Sequence, residues 1–428
     1  MDMSESRFDL IAATCPPASP KSASGGRWRA GSRDKDHDFT LQSLSKMEKR
    51  RSIKFTISSQ YFIYFGVLGI FLPYFNLYCY HLEFSGLQIG VLSGLRSVAM
   101  VIFPLIWGVL ADRLNIRRPI YIFCNIVSTA VWVLFLLTVE FWPMLIITAF
   151  YGMFYAPIIS FLEAVTMDVL GAEKKSYGRI RAWGSISFIV MVLVLGKIID
   201  LYSVDIILVL ILAGSLMLAV ISVGIPAIQP TRKNPLTPGA GSLLEKRVIV
   251  FLFCAFLMLV SHSAYYGFFS IHLANMGYDT TFIGIAWALA STAEILVMIK
   301  SDKIFSRFSL ENVLFFSFLV AALRWMILFF AQSVTLILLS QVLHAVTYGT
   351  FHMASILYID RLAPEKAKTL GQAVNNALTY GLGLMVGFFV NGYVYEITGS
   401  FTLFLMSSLI ALSGGLVLKS HQLAVGGR

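Results

Sequence analysis

Eight ionisable side chains lie in stretches of sequence that are otherwise apolar: Arg96, Glu163, Arg181, His262, Glu294, Arg324, His344 and His352. A charge at the centre of a bilayer costs about 2.5–3.5 kcal/mol on insertion scales, so such residues persist there only where they pair or face a hydrated cavity. Their signs suggest two pairs, Glu163 with Arg181 and Glu294 with Arg324, although a buried pair is weak evidence for stability. A carboxylate or imidazole that faces water changes charge when a proton arrives. Each charge moved across a membrane exchanges about 2.3 kcal/mol per 100 mV with the field. His344 and His352 are eight residues apart, which sets them roughly 80° apart around an α-helix, so both can face one cavity.

Other residues have two readings each. Arg96 serves function or merely snorkels and closes a helix contact. His262 is a cavity-wall residue, which the adjacent Tyr265 and Tyr266 favour, or a satisfied core histidine. Tyr61, Tyr64, Phe65, Tyr74, Phe75 and Tyr78 read as packing and interfacial belt before ligand stacking, and Asn375 and Asn376 either bond a solute or bridge helices. Gly66, Gly69, Gly108, Gly381 and Gly383 suit close helix approach. Cys15, Cys79, Cys124 and Cys254 have neither disulfide nor metal-ligand spacing. No nucleotide-binding loop, His/Asp metal cluster or Ser-His-Asp set is evident, so neither a cofactor nor a metal is expected, and a polytopic enzyme is the weaker class.

The elements that hold these residues must sit in lipid. Of the 428 residues 57% are hydrophobic and 13% charged, with a mean hydropathy of +0.77, more apolar surface than a water-soluble core could bury. Spans of about 20 apolar residues run near 58–80, 87–111, 119–138, 143–167, 181–199, 204–226, 248–272, 281–299, 311–331, 334–358, 371–391 and 400–419. Lys and Arg crowd alternate loops, and the loops around Glu83, Glu140, Asp205, Asp279, Gln332 and Glu396 are almost free of them. The net charge of +10 therefore reflects the positive-inside bias and not a nucleic-acid face, and places both termini in the cytoplasm of a multi-pass inner-membrane protein.

Residues 1–55 read as a polar, disordered tail, within which Met47 opens a second beginning, MEKRRSIKF. A six-helix bundle is expected over 56–226, a Pro- and Gly-rich linker over 227–247, a second bundle over 248–420 and a short tail over 421–428. The halves repeat at an offset of about 190 residues: Asp112-Arg113 matches Asp302-Lys303, and Asp168…Glu173-Lys174…Gly178 matches Asp360…Glu365-Lys366…Gly371. Two parallel bundles with a site between them are what such a repeat implies.

The loop GVLADRLNIRR, Gly108 to Arg118, resembles the signature G-x-L-A-D-R-x-G-R-R of the major facilitator superfamily, with one residue inserted and Asn115 near the expected glycine. The resemblance implies an all-α membrane protein of twelve transmembrane helices in two pseudo-symmetric six-helix bundles. It also implies a gating role for Gly108, Asp112 and Arg113. YGRIRAWGSISF (Tyr177 to Phe188), with Glu163 eighteen positions before Arg181, resembles helices 4 and 5 of the oligosaccharide:proton symporters. That likeness implies substrate contact for Glu163 and Arg181, extends to Arg324, His344 and Glu294, and departs from the family at Thr347, where the family has a proton-carrying glutamate.

HSAYYGFFSI, GIAWALASTAEI, LRW and LHAVTYGTFHMASILYI are more similar to the bacterial phenylpropionate permease branch, a likeness covering about residues 58 to 420. It implies proton coupling at Glu294, His344 and His352; taken with the readings above, solute contact is expected at Glu163, Arg181, Arg324, His262, Tyr265 and Tyr266. The expectation is a monomeric proton-coupled importer of a small organic solute such as an aromatic carboxylate, sugar or nucleoside. An exporter of drugs or metabolites on the same fold, and a transporter-like sensor, are its rivals.

Overall fold

The computed structural model describes residues 33–226, 243–364 and 367–426. It falls into two compact units, Met1–Arg51 and Ser52–Arg428. In the first, the described residues are helical from Arg33 onward, so the expected unstructured tail is corrected over that stretch, while residues 1–32 lie outside the described residues. Most of the expected linker, 227–242, also lies outside them, as do 427–428 at the end of the expected C-terminal tail.

Among the described residues eleven helices are long and apolar enough to cross a bilayer, and one more apolar helix is shorter. In chain order they are α1 (Arg51–His81), α2 (Gly86–Leu114), α3 (Arg117–Leu137), α4 (Phe141–Leu170), α5 (Tyr177–Leu201), α6 (Ile206–Ser222), α7 (Lys246–Asn275), α8 (Thr280–Ile299), α9 (Leu310–Phe330), α10 (Val334–Leu362), α11 (Leu370–Thr398) and α12 (Ser400–Ala424). Helices are what a lipid-spanning chain must form, because each backbone N–H and C=O then finds its partner inside the segment. With 17 residues, α6 is shorter than its apolar stretch, because Gly224 and Ile225 close onto Ile221 and Ser222 in tight turns just before Pro226. A short helix, Ser301–Arg307, links α8 to α9.

Polar side chains supply the helix starts. Ser85 and Gln88 form a reciprocal capping box on α2, and Asp279, Ser309 and Ser333 accept from first-turn N–H groups of α8, α9 and α10. Cys79, Cys124 and Cys254 are free and buried, as packing residues should be.

The two bundles, α1–α6 and α7–α12, meet along α2 against α11 and α5 against α8. At the end bearing Glu83 and Asp279 both seams are tight. A Cβ on Gly86 would lie 2.6 Å from the Gly392 carbonyl oxygen, and one on Gly196 would lie 2.5 Å from that of Thr280; only glycine lets these backbones approach so closely. Asn76 Nδ2 donates to Gly267 O at 2.9 Å and Tyr80 OH to Asn275 Oδ1 at 2.7 Å. Asp200 on α5 accepts from Thr280 N at 2.9 Å, Thr280 Oγ1 at 2.6 Å, Thr281 N at 3.0 Å and the Thr281 hydroxyl. A carboxylate of one bundle thus satisfies orphan donors at the N-terminus of a helix in the other.

At the opposite, basic end the ion pairs seen among the described residues lie within single bundles: Lys54 with Glu173 at 2.6 Å, Arg117 with Asp112 and Asp168, Lys368 with Asp360 at 3.3 Å and Arg361 with Glu311. The bundles are therefore closed together at the acidic-loop end and enclose a cavity below that closure.

Candidate functional site

A cavity of about 930 Å³ lies between the bundles, lined from one side by Arg96, Glu163 and Arg181 and from the other by Glu294, His344 and His352, with Tyr64, Tyr155, Tyr265, Tyr266, Tyr348 and Tyr380 among its aromatic walls. Its size suits a small organic molecule. Both tyrosines next to His262 reach the wall, as expected, and most of the charged residues singled out in the sequence converge here.

The expected pairings do not form. Tyr177 OH donates to Glu163 Oε1 at 3.5 Å, while the Arg181 guanidinium lies over the rings of Phe65, at 3.8 Å, and Tyr61, at 5.7 Å. A guanidinium gains from the negative face of a ring and leaves the carboxylate to a hydroxyl. Arg324 likewise turns away from Glu294. It is fully buried behind the wall, donates through Nε to Ser340 O at 2.8 Å and through Nη1 to His344 Nδ1 at 2.9 Å, and lies 4.4 Å from the centroids of Tyr265 and Trp325. The partner of Glu294 is instead His344, with Nε2 3.9 Å from Oε2.

These bonds fix the chemistry of His344. An arginine can only donate, so Nδ1 accepts, and a neutral ring carries its proton on Nε2, the nitrogen that faces Glu294. The result is a chain of contacts from the buried Arg324 guanidinium through an imidazole to an acid on the cavity wall.

His262 is also fully buried and does not line the cavity. Its Nδ1 donates to Met258 O at 2.8 Å, leaving Nε2 to accept from Thr347 Oγ1 at 3.4 Å. The expectation of direct solute contact by Arg324 and His262 is therefore corrected for this conformation: both brace the wall from behind. Thr347 sits 3.4 Å from Arg324 Nη1 as well, so the hydroxyl at the departing position ties histidine to arginine.

His344 and His352 are closer to one face than an α-helix allows, because α10 contains a π-helical segment, Ala345–Thr350. Its wider turn takes more residues per revolution, so residues four apart fall nearly in line. Tyr348 fills the gap, stacked on His344 at 5.2 Å and 11° and on His352 at 6.0 Å and 6°. His352 Nδ1 lies 2.6 Å from Tyr380 OH, itself on a π-helical segment of α11, Ala377–Gly383. Tyr348 escaped the sequence reading, although its place midway between two histidines, four residues from each, was a signal. Asn375, buried, bonds Ser355 Oγ at 3.2 Å and so bridges α11 to α10.

The loop after α2 holds together through other residues than expected. Asp112 accepts from Arg117 Nε at 2.8 Å, and Arg117 Nη1 reaches Asp168 at 3.4 Å, tying α2 and α3 to the end of α4. Arg113 is exposed, so the bracing arginine is Arg117. A Cβ on Gly108 would meet nothing within 4 Å, which rules out a close-approach role for that glycine here. Asn115 takes the left-handed conformation, φ 56°, that asparagine tolerates and glycine would otherwise supply.

Twelve apolar helices in two matched bundles around one charged, aromatic cavity are the architecture of a multi-pass membrane transporter. The chain belongs to the MFS_1 like family, whose family model matches residues 55–406, within the major facilitator superfamily that the Asp112 loop resembles. It is 28% identical over 367 residues to the "Probable 3-phenylpropionic acid transporter" of Escherichia coli (strain K12), an alignment covering 82% of this chain and 93% of that one. It is 24% identical over 363 residues to the maltose permease of Geobacillus stearothermophilus, covering 84% and 92%. Among solved structures, that of the nucleoside transporter NupG has a TM-score of 0.77 at 18% identity, covering 86% of this chain and 98% of that chain, which shows a shared fold.

Proposed function

We propose that the protein is a proton-coupled symporter that imports a small organic solute by alternating access. The observation that carries this reading is the contact of Glu294 with His344, both on the cavity wall, with Arg324 fixed behind the imidazole. The acid is the group left free to take up a proton, and its neighbour can hand one over without leaving the cavity. On the charge rule the basic loops face the cytoplasm, so a structure sealed at the acidic-loop end is the inward-facing state, in which solute and proton are released.

The substrate classes named for the relatives, an aromatic acid, a sugar and a nucleoside, all suit a cavity of this size with aromatic walls. Arg181 and Glu163 line its N-terminal side and Tyr265 and Tyr266 the other, a set able to hold either a carboxylate or a polyhydroxylated solute.

Uptake by proteoliposomes under an imposed pH gradient, with aromatic acids, disaccharides and nucleosides as candidate solutes, tests the reading. A gradient of one pH unit stores about 1.4 kcal/mol per proton, enough for roughly tenfold accumulation. Arg181→Ala is expected to lose counterflow, and full activity there would remove it from the binding site. His344→Ala is expected to keep exchange and lose accumulation, and unchanged accumulation would count against its part in coupling.

A further inference from the structure

We propose that Arg96 and Tyr151 form an anion-binding subsite at the sealed end of the cavity, one that takes the carboxylate of a small aromatic acid. Arg96 is ten residues in from Gly86 on α2, Tyr151 ten in from Phe141 on α4, and Phe71 ten back from His81 on α1. At 1.5 Å per residue all three lie about 15 Å from that end, near the middle of the hydrocarbon. All three line the cavity.

At this depth a cation needs a partner. Among the described residues Arg96 has no ion pair and no hydrogen bond, only the ring of Phe71 at 4.7 Å. The acids on the cavity wall, Glu163 and Glu294, contact Tyr177 and His344 instead. Tyr151 is the second, independent sign. It is 5% exposed, and its hydroxyl is buried without a hydrogen-bond partner, a state that costs free energy unless something supplies the missing bond. A guanidinium has no acceptor to offer and a phenol readily donates, so together they call for an acceptor, best a carboxylate, which arginine binds with charge-assisted bonds.

The surroundings suit the rest of such a molecule. Tyr151 stacks on Tyr155 at 4.8 Å and 17°, and Tyr155 on Tyr64 at 5.3 Å and 11°, a ladder of near-parallel faces against which a planar ring can pack.

The subsite deepens the transporter reading and rests on it, so its test measures binding apart from transport. Purified protein in nanodiscs is titrated with 3-phenylpropanoate and with 3-phenylpropanamide, its neutral isostere. Wild type is expected to favour the acid by at least about tenfold, and Arg96→Gln to lose that preference by weakening the acid far more than the amide. Tyr151→Phe is expected to weaken the acid by about 2- to 10-fold without lowering the thermal midpoint of the ligand-free protein, because its hydroxyl bonds nothing there. A wild type indifferent to charge, or an Arg96→Gln protein that keeps the preference, overturns the subsite. Proton-driven uptake of a neutral sugar or nucleoside in the same preparation would then leave the transporter reading standing, whereas absence of any driven uptake would remove that reading too.

Discussion

On the proposed proton coupling, Glu294 carries the heaviest demand of any single residue, since it would have to be charged in one stage of a cycle and neutral in another at the same place. Glu294→Gln fixes the neutral form, and the expected result is solute exchange at near wild-type rates with accumulation under a one-unit pH gradient falling from roughly tenfold to none, read in proteoliposomes. Concentrative uptake in that variant would move the proton site elsewhere. Arg324 makes the opposite kind of prediction. Because it is fully buried and its loss would leave Ser340 O and His344 Nδ1 without their donor, Arg324→Met is expected to cost about 2–4 kcal/mol of stability, seen as a lowered unfolding midpoint in detergent. The types of these residues were readable in the sequence. Which of them face the cavity was not, because Arg324 and Glu294 fall on helices whose rotation is set by packing.

Among the elements, α10 and the α2–α11 seam carry the geometry. The spacing of His344 and His352 implies a wide angle in a regular helix, and the π-helical turn converts it into a stacked column through Tyr348. Such a turn depends on the neighbours that satisfy it, so no local pattern announced it. The seam depends on Gly86 facing Gly392, where a Cβ would lie 2.6 Å from a carbonyl oxygen. Gly86→Val is therefore expected to hold that end apart. Nitroxide labels on the exposed positions Leu87 and Tyr393 should report separations several ångströms wider than in the parent, and an unchanged separation would mean the seam adjusts around the new side chain.

For the whole molecule the proposed alternating access makes the balance between the state sealed at the acidic-loop end and its reverse the governing quantity. Asp200 biases it directly, since its four contacts with Thr280 and Thr281 join α5 of one bundle to α8 of the other. Hydrogen bonds to a charged group contribute about 1.5–3 kcal/mol, so Asp200→Ala is expected to shift the balance about 10- to 100-fold toward opening at that end. Labels at Leu201 and Ile285, both exposed, would show a second, longer distance population. A single short population would mean that the glycine seams alone hold the closure.

By itself the sequence determined that the chain lives in lipid, crosses it about twelve times and repeats its halves, because apolar run length and loop charge are local properties that the bilayer reads directly. It also marked the residues too polar for lipid, since their burial cost attaches to residue type. Only the tertiary structure decided that Arg324 pairs with His344 and not with Glu294, that Arg117 and not Arg113 braces the loop after α2, and that the Arg96 guanidinium and the Tyr151 hydroxyl stand at one depth without a hydrogen-bond partner among the described residues. Those choices depend on how helices turn and approach one another, across 20 residues of chain for Arg324 and His344 and 51 for Arg117 and Asp168, where local spacing does not say which side chains will meet.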